Sequence, residues 1–224
     1  MSELRLERTG QAAAPGLQIE VVDAEPGLHL ASPTLIFKLR AREPAGREVY
    51  MVALSTQIQI DPGLRSHDSD TRALLVDLFG TPDRWAATTT SIVWARVESL
   101  LPSFSSQVEL SLPVPCTYDL EVASAKYLDA LPDGEVPLSF HFSGRIFYRG
   151  GDGRLQIVLT PWTSASYRLP VSVWRRMIDL HYPGSGFVRL GDETLRALRL
   201  HQATLGLPTF DEAVADLLRR DGRS

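Results

Sequence analysis

A chain of 224 residues, 44% hydrophobic and 22% charged, can bury roughly 70% or more of its unfolded surface and needs no disulfide or metal to hold a core. A formal net charge of -4 and a pI near 5.7 exclude the basic balance usual in nucleic-acid binders. A single cysteine, Cys116, excludes an internal disulfide or a multi-cysteine metal site and suits a reducing compartment.

Of the 23 basic residues only Lys38 and Lys126 are lysines, a bias read as GC-rich codon usage rather than phosphate recognition. The segment Met1 to Arg8 lacks the apolar stretch of about 7–15 residues that a signal peptide needs. No window reaches the roughly 18 apolar residues of a membrane span. The expectation is a soluble, cytoplasmic protein with no membrane span and no nucleic-acid partner.

Residues 1–15 carry small residues without periodicity and read as a flexible tail. From Leu17 the period becomes two. Leu17 to Val21 alternates, and Leu35 to Arg42 would bury Leu35, Phe37, Leu39 and Ala41 while Lys38, Arg40 and Arg42 face water. After the turn Pro44-Ala45-Gly46, the run Val49 to Ile60 places Tyr50, Val52, Leu54, Thr56, Ile58 and Ile60 on one face. Its length predicts a bulge or bend. So short a connection predicts antiparallel pairing of these two strands.

Asp68-Ser69-Asp70 supplies N-cap oxygens ahead of Leu74, Leu75, Leu78 and Phe79, with Gly80 as the stop. Thr81-Pro82 starts a second short helix, so a helical insertion is predicted near residues 70–86. Strands resume at Ile92 to Val97, Gln107 to Leu112 and Tyr118 to Ala123, while Ala123 to Leu131 also fits a short helix. Phe140 to Tyr148 and Leu155 to Leu159 bracket Gly150-Gly151-Asp152-Gly153, a hairpin signal. Pro170 opens a helix carrying Val173, Trp174, Met177 and Ile178. Helical spacing returns over Asp192 to Leu205. Thr209 with Glu212 forms a capping box before Ala213, Val214, Leu217 and Leu218, which are expected to face inward.

Strands first and helices last predict an α+β fold: a mainly antiparallel β-sheet, sandwich-like or open, with C-terminal helices. One domain over 16–224 is expected, β-rich over 16–165 and helical over 166–220. The large aromatics, including Trp94, Phe140, Phe142, Phe147, Trp162 and Trp174, are assigned to the core.

The chemistry on offer is sparse. His29, His67, His141, His181 and His201 are scattered without the spacing that puts metal ligands on one helix face. No phosphate-binding, dinucleotide-binding or nucleophile-elbow motif is present. Gly150 to Gly153 reads as a turn rather than a phosphate or calcium loop. The remaining candidates are Cys116, Asp119, His141, Asp179 and His181: a cysteine nucleophile needs an imidazole to depress its pKa and a carboxylate to orient that imidazole. No metal ligands and no cofactor are assigned.

Three stretches are distinctive. They are Leu112 to Tyr127, Gly134 to Leu138 with Phe142-Ser143-Gly144, and Tyr167 to Val171 with Trp174 and His181 to Gly184. Over about Leu17 to Leu218 the chain is similar to an uncharacterised actinobacterial family often encoded near [NiFe] uptake-hydrogenase genes. That resemblance carries over no catalytic residues. It implies an accessory role with a protein partner, among hydrogenase subunits or maturation factors. The leading expectation is therefore a non-enzymatic accessory protein that binds a protein partner in hydrogenase assembly or maturation. The alternatives are an enzyme or redox-sensitive protein using Cys116 with a nearby histidine, and a small-ligand or metal binding module.

Overall fold

The computed structural model describes residues 15–222, so the tail expected over 1–15 lies, except for Pro15, outside the described residues. The chain divides into two compact units, Met1–Gly186 and Phe187–Ser224.

The first unit holds seven strands: β1 (Gln18–Pro26), β2 (Thr34–Arg42), β3 (Val49–Ile60), β4 (Ile92–Leu101), β5 (Gln107–Pro115), β6 (Glu135–Arg149) and β7 (Leu155–Pro170). They form two antiparallel sheets, ordered β1-β2-β5 and β4-β3-β6-β7. Period-two alternation gives each sheet one apolar face, and each face is removed from water by the other. Phe37 of β2 marks the junction. It meets Phe140 of β6, Trp94 of β4 and Tyr167 of β7 edge-on, at centroid distances of 5.1, 6.1 and 6.0 Å. The fold is thus α+β, built on a β-sandwich.

The pairing expected between β2 and β3 is not formed. β2 lies between β1 and β5, and β3 lies between β4 and β6. β2 and β3 are flanked strands of different sheets, so the short link turns a corner between sheets instead of closing a hairpin. Buried Glu43 holds that corner: its carboxylate accepts the backbone N–H groups of Arg47 at 2.7 Å and Gly16 at 3.3 Å. Gly46, at φ +68°, supplies the left-handed residue. A bulge between Val49 and Met51 in the β3–β6 register shifts the phase, so Val49 is buried and Tyr50 exposed. Val52, Leu54, Thr56, Ile58 and Ile60 do face inward.

The strand expected at Tyr118 to Ala123 is instead a turn leading into α4 (Ala123–Asp129). Local side-chain bonds divert the backbone: Asp119 N–H donates to Thr117 Oγ1 at 3.1 Å, and Asp119 Oδ1 accepts Glu121 N–H at 3.0 Å. The hairpin across Gly150–Gly153 forms with Gly153 at φ +74°. Helix α5 (Val171–His181) follows β7 directly and buries Val171, Val173, Trp174, Met177 and Ile178. Trp174 meets Trp94 edge-on at 6.3 Å.

The helical insertion comprises α1 (Ser69–Leu74), α2 (Val76–Phe79), a 3-10 turn at Pro82–Arg84 and α3 (Trp85–Thr88). Asp68 caps α1 by accepting Thr71 N–H at 2.7 Å, and Gly80 at φ +76° ends α2. Leu75, Phe79 and Trp85 are buried beside Tyr127 of α4. His67 Nε2 lies 2.9 Å from Tyr127 Oη. Burial first, then the Arg65 and Arg72 cations, push His67 down to about 4. The unfolded imidazole binds its proton near 6.5, so this residue's stabilisation is complete above that pH and is lost as pH falls towards 4. Because the ring is half-buried, the loss is discounted from about 3 kcal/mol to on the order of 1 kcal/mol. Thermal melts between pH 7 and 4 should show it, and His67→Gln should flatten the profile.

The second unit is a helical hairpin, α6 (Asp192–Leu205) and α7 (Phe210–Arg220). Thr209 caps α7 as expected, its Oγ1 accepting Glu212 N–H at 3.2 Å, one half of the capping box. His201 Nε2 lies 3.0 Å from Asp216 Oδ2. Of the four α7 residues expected inward, only Ala213 is buried; Val214, Leu217 and Leu218 are exposed. Within this unit a helix has a single neighbour, which covers one narrow stripe. Among the described residues no helix is long and apolar enough to cross a membrane.

Candidate functional site

The residues singled out for chemistry are dispersed. Cys116 is buried just after β5, and its thiol donates to Val114 O at 3.2 Å. Burial pushes the thiol up to about 12, so no thiolate forms at neutral pH, the reverse of an activated nucleophile. Asp119 is engaged in its turn. His141 sits on the outer face of the four-stranded sheet, opposite Gln57 and Ser164. His181 ends α5 with Nδ1 at 3.0 Å from Met177 O and Nε2 at 3.2 Å from Leu30 O. Both ring nitrogens face backbone carbonyls, and neither bonds to the thiol. Among the described residues no three His, Cys, Asp or Glu side chains are placed to hold a metal ion.

Asp179 alone joins a polar concavity, with Tyr118, Asp129, Trp174, Arg175 and Ile178. The Tyr118 hydroxyl donates to Asp129 Oδ1 at 2.9 Å, and its ring stacks on Tyr182 at 5.8 Å. Burial, then the Asp129 and Asp179 carboxylates, push this phenol up to about 12 and keep it a donor. Arg175 Nη2 donates to Leu131 O at 2.7 Å, at the end of α4. The volume, about 280 Å³, falls below the usual range of roughly 300–1,000 Å³ for small-molecule sites. These bonds tie the loop after β5 to α4 and α5.

A different feature stands out on the solvent side of the four-stranded sheet. Along β7, Leu155, Ile157 and Leu159 alternate with Gln156 and Val158, and the register sets which set meets the core. Val158 lies opposite buried Ile146 and faces the core, so Leu155, Ile157 and Leu159 are turned to water, Ile157 59% and Leu159 69% exposed. Gln156 faces inward with its Oε1 accepting the Tyr148 hydroxyl at 2.9 Å. Two cross-strand rows result on the outer face: Leu100–Ala53–Arg145–Leu159 and Met51–Phe147–Ile157.

Beside these rows β7 bulges. Phe142 faces Thr163 and Gly144 faces Thr160, so Ser143 opposes both Pro161 and Trp162. Trp162, assigned to the core on composition, is 74% exposed. Gly144 allows the close approach of β3 at the same point, since a Cβ there would lie 2.2 Å from Ala53 O. The resulting depression, about 370 Å³, is lined by Ser55, Glu98, Arg145, Leu159, Thr160 and Trp162 among others. The signal for it in the sequence was Pro161 inside an otherwise regular strand, since proline in a strand marks a bulge or an edge. Isolated exposed leucines are ordinary; here Leu155, Ile157, Leu159 and Trp162 are exposed together along β7, with half-buried Phe147 and Met51 beside them.

The architecture defines an α+β protein on an antiparallel β-sandwich. The chain belongs to the family of unknown function DUF6084, whose model matches residues 14–224. No curated protein matches it. Among solved structures, a protein designated ApaA from Bordetella pertussis is similar over 67% of this chain and 92% of that chain, with 10% sequence identity and a TM-score of 0.27.

Proposed function

We propose that this protein is a non-enzymatic, cytoplasmic accessory protein that binds a protein partner through the outer face of its four-stranded sheet. The supporting observation is the phase of β7, which turns Leu155, Ile157 and Leu159 to solvent while Gln156 faces inward. Pairing of Val158 with buried Ile146 fixes that phase, and the cost is an exposed apolar row, the kind of departure from patterning where function is expected. The partner class follows from the resemblance to an actinobacterial family encoded near hydrogenase genes: a hydrogenase subunit or maturation factor. The thiol's environment weighs against a Cys116-based enzyme.

The reading is tested by placing a photo-crosslinking residue at Ile157 in native cells and identifying the adduct by mass spectrometry. A hydrogenase subunit or maturation factor is the expected product. An unrelated protein would remove the hydrogenase assignment, and no adduct at all would remove the binding face. The double variant Ile157→Asp, Leu159→Asp should lower partner capture at least tenfold, about 1.4 kcal/mol. Its unfolding free energy should stay within about 0.5 kcal/mol of wild type, because both side chains already face water.

A further inference from the structure

We infer that the free edge of β7, from Leu155 to Thr160, takes up an extended segment of the partner as an additional strand, and that this segment is apolar and carries a carboxylate. The inference rests on the partner-binding reading above and names the kind of segment bound.

β7 is an edge of its sheet. Among the described residues no backbone hydrogen bond joins Leu155–Thr160 to anything beyond β6. Natural sheets blunt such edges with charges, bulges or proline. The opposite edge, β4, is blunted in this way: it carries Arg96 and Glu98, and its register with β3 is bulged near Ala95. The β7 segment Leu-Gln-Ile-Val-Leu-Thr has no charge and no proline. It is bounded by the Gly150–Gly153 turn on one side and by Pro161, which has no N–H to donate, on the other. That leaves a pairing window of six residues, the length over which an added strand gains affinity from main-chain bonds and specificity from alternate side chains.

Charge decides the occupant. Arg145 stands exposed within the outer row, and among the described residues its guanidinium makes no ion pair or hydrogen bond. Arg149 and Arg154 lie at the turn end of the same hairpin, where Arg149 donates to Gly153 O at 3.1 Å. Their acidic neighbours are Asp152, 3.9 Å from Arg154, and Glu98, which accepts the Ser55 hydroxyl. A second copy added edge to edge would bring these arginines towards their own kind. Arg145 lies one strand in from the edge, paired with Leu159, so an apolar strand bearing an Asp or Glu opposite Leu159 puts a carboxylate in the same cross-strand row as its guanidinium and is complementary.

The test uses the full-length protein and a random linear-peptide display library, followed by hydrogen exchange with a selected synthetic peptide. Expected are sequences alternating apolar and polar residues with an acidic position, and slowed exchange confined to amides of residues 155–160. Arg145→Glu should weaken the acidic peptide at least tenfold and select basic residues in a fresh screen, with its circular dichroism unchanged. No enrichment, a helical three-to-four spacing, protection outside this strand, or a homodimer that itself protects residues 155–160 would overturn the inference. If these fail while Ile157 still crosslinks a protein in cells, strand addition falls and partner binding stands. If both fail, the two readings fall together.

Discussion

Truncating Phe37 to alanine is expected to lower the unfolding free energy by about 3–5 kcal/mol, the range for deleting a buried aromatic ring. Phe37 is fully buried, and its ring touches three aromatics that all belong to the opposing sheet. Removing it empties the space where the two layers meet. No neighbour is placed to refill it, because Trp94, Phe140 and Tyr167 are each held in paired strands. Urea unfolding should report a midpoint lower by roughly one to two molar with a similar slope. A loss under about 1 kcal/mol would mean that the layers do not pack through this residue.

Gly144→Ala is the second large effect, and it bears on the outer face directly. The added methyl would sit 2.2 Å from Ala53 O and 3.2 Å from Leu54 Cα, both backbone atoms. Neither can swing away as a flexible side chain would. β3 and β6 must separate locally, where they lie paired in the middle of the sheet. A destabilisation on the order of 3 kcal/mol is expected, at the upper end for overpacking. The β6–β7 register should loosen with it, since the bulge that projects Trp162 begins at this glycine. Two measurements check this: the midpoint of chemical unfolding, and the exchange rates of amides in residues 157–163. A variant with wild-type stability would show that the two strands tolerate a wider spacing at this point. Serine at the same position should behave alike, because the clash comes from Cβ.

Partner capture and stability should therefore separate by position. Changes at Ile157 and Leu159 act on binding with little effect on folding. The change at Phe37 acts on folding alone, and Gly144→Ala on both. A single loss of capture shared by all four would indicate that any destabilisation abolishes binding, and the outer face would lose its special status.

Much of this molecule was legible from local pattern. Alternation located β1, β2 and β3, Asp68 and Thr209 marked two helix starts, and Gly150–Gly153 marked a hairpin, because each depends on a few neighbouring residues and on backbone preference. The α+β class followed from the order of those elements. The side chains named for chemistry were chosen by residue type, which carries no information about what surrounds them. The surroundings of Cys116 proved apolar, and the imidazole of His181 is directed to carbonyls.

Tertiary structure decided the rest, and register is the reason. A strand's sequence states that two faces differ, but which face meets the core depends on the strand beside it and on every bulge between them. One extra residue at Tyr50 and another near Pro161 reset the phase of β3 and β7. Whether β2 pairs with β3 or lies across the core from it depends on contacts between residues far apart in the chain. The sequence alone determined where most strands and helices lie, the turn after Cys116 excepted; only the packed sheets decided that Leu155, Ile157, Leu159 and Trp162 would meet water.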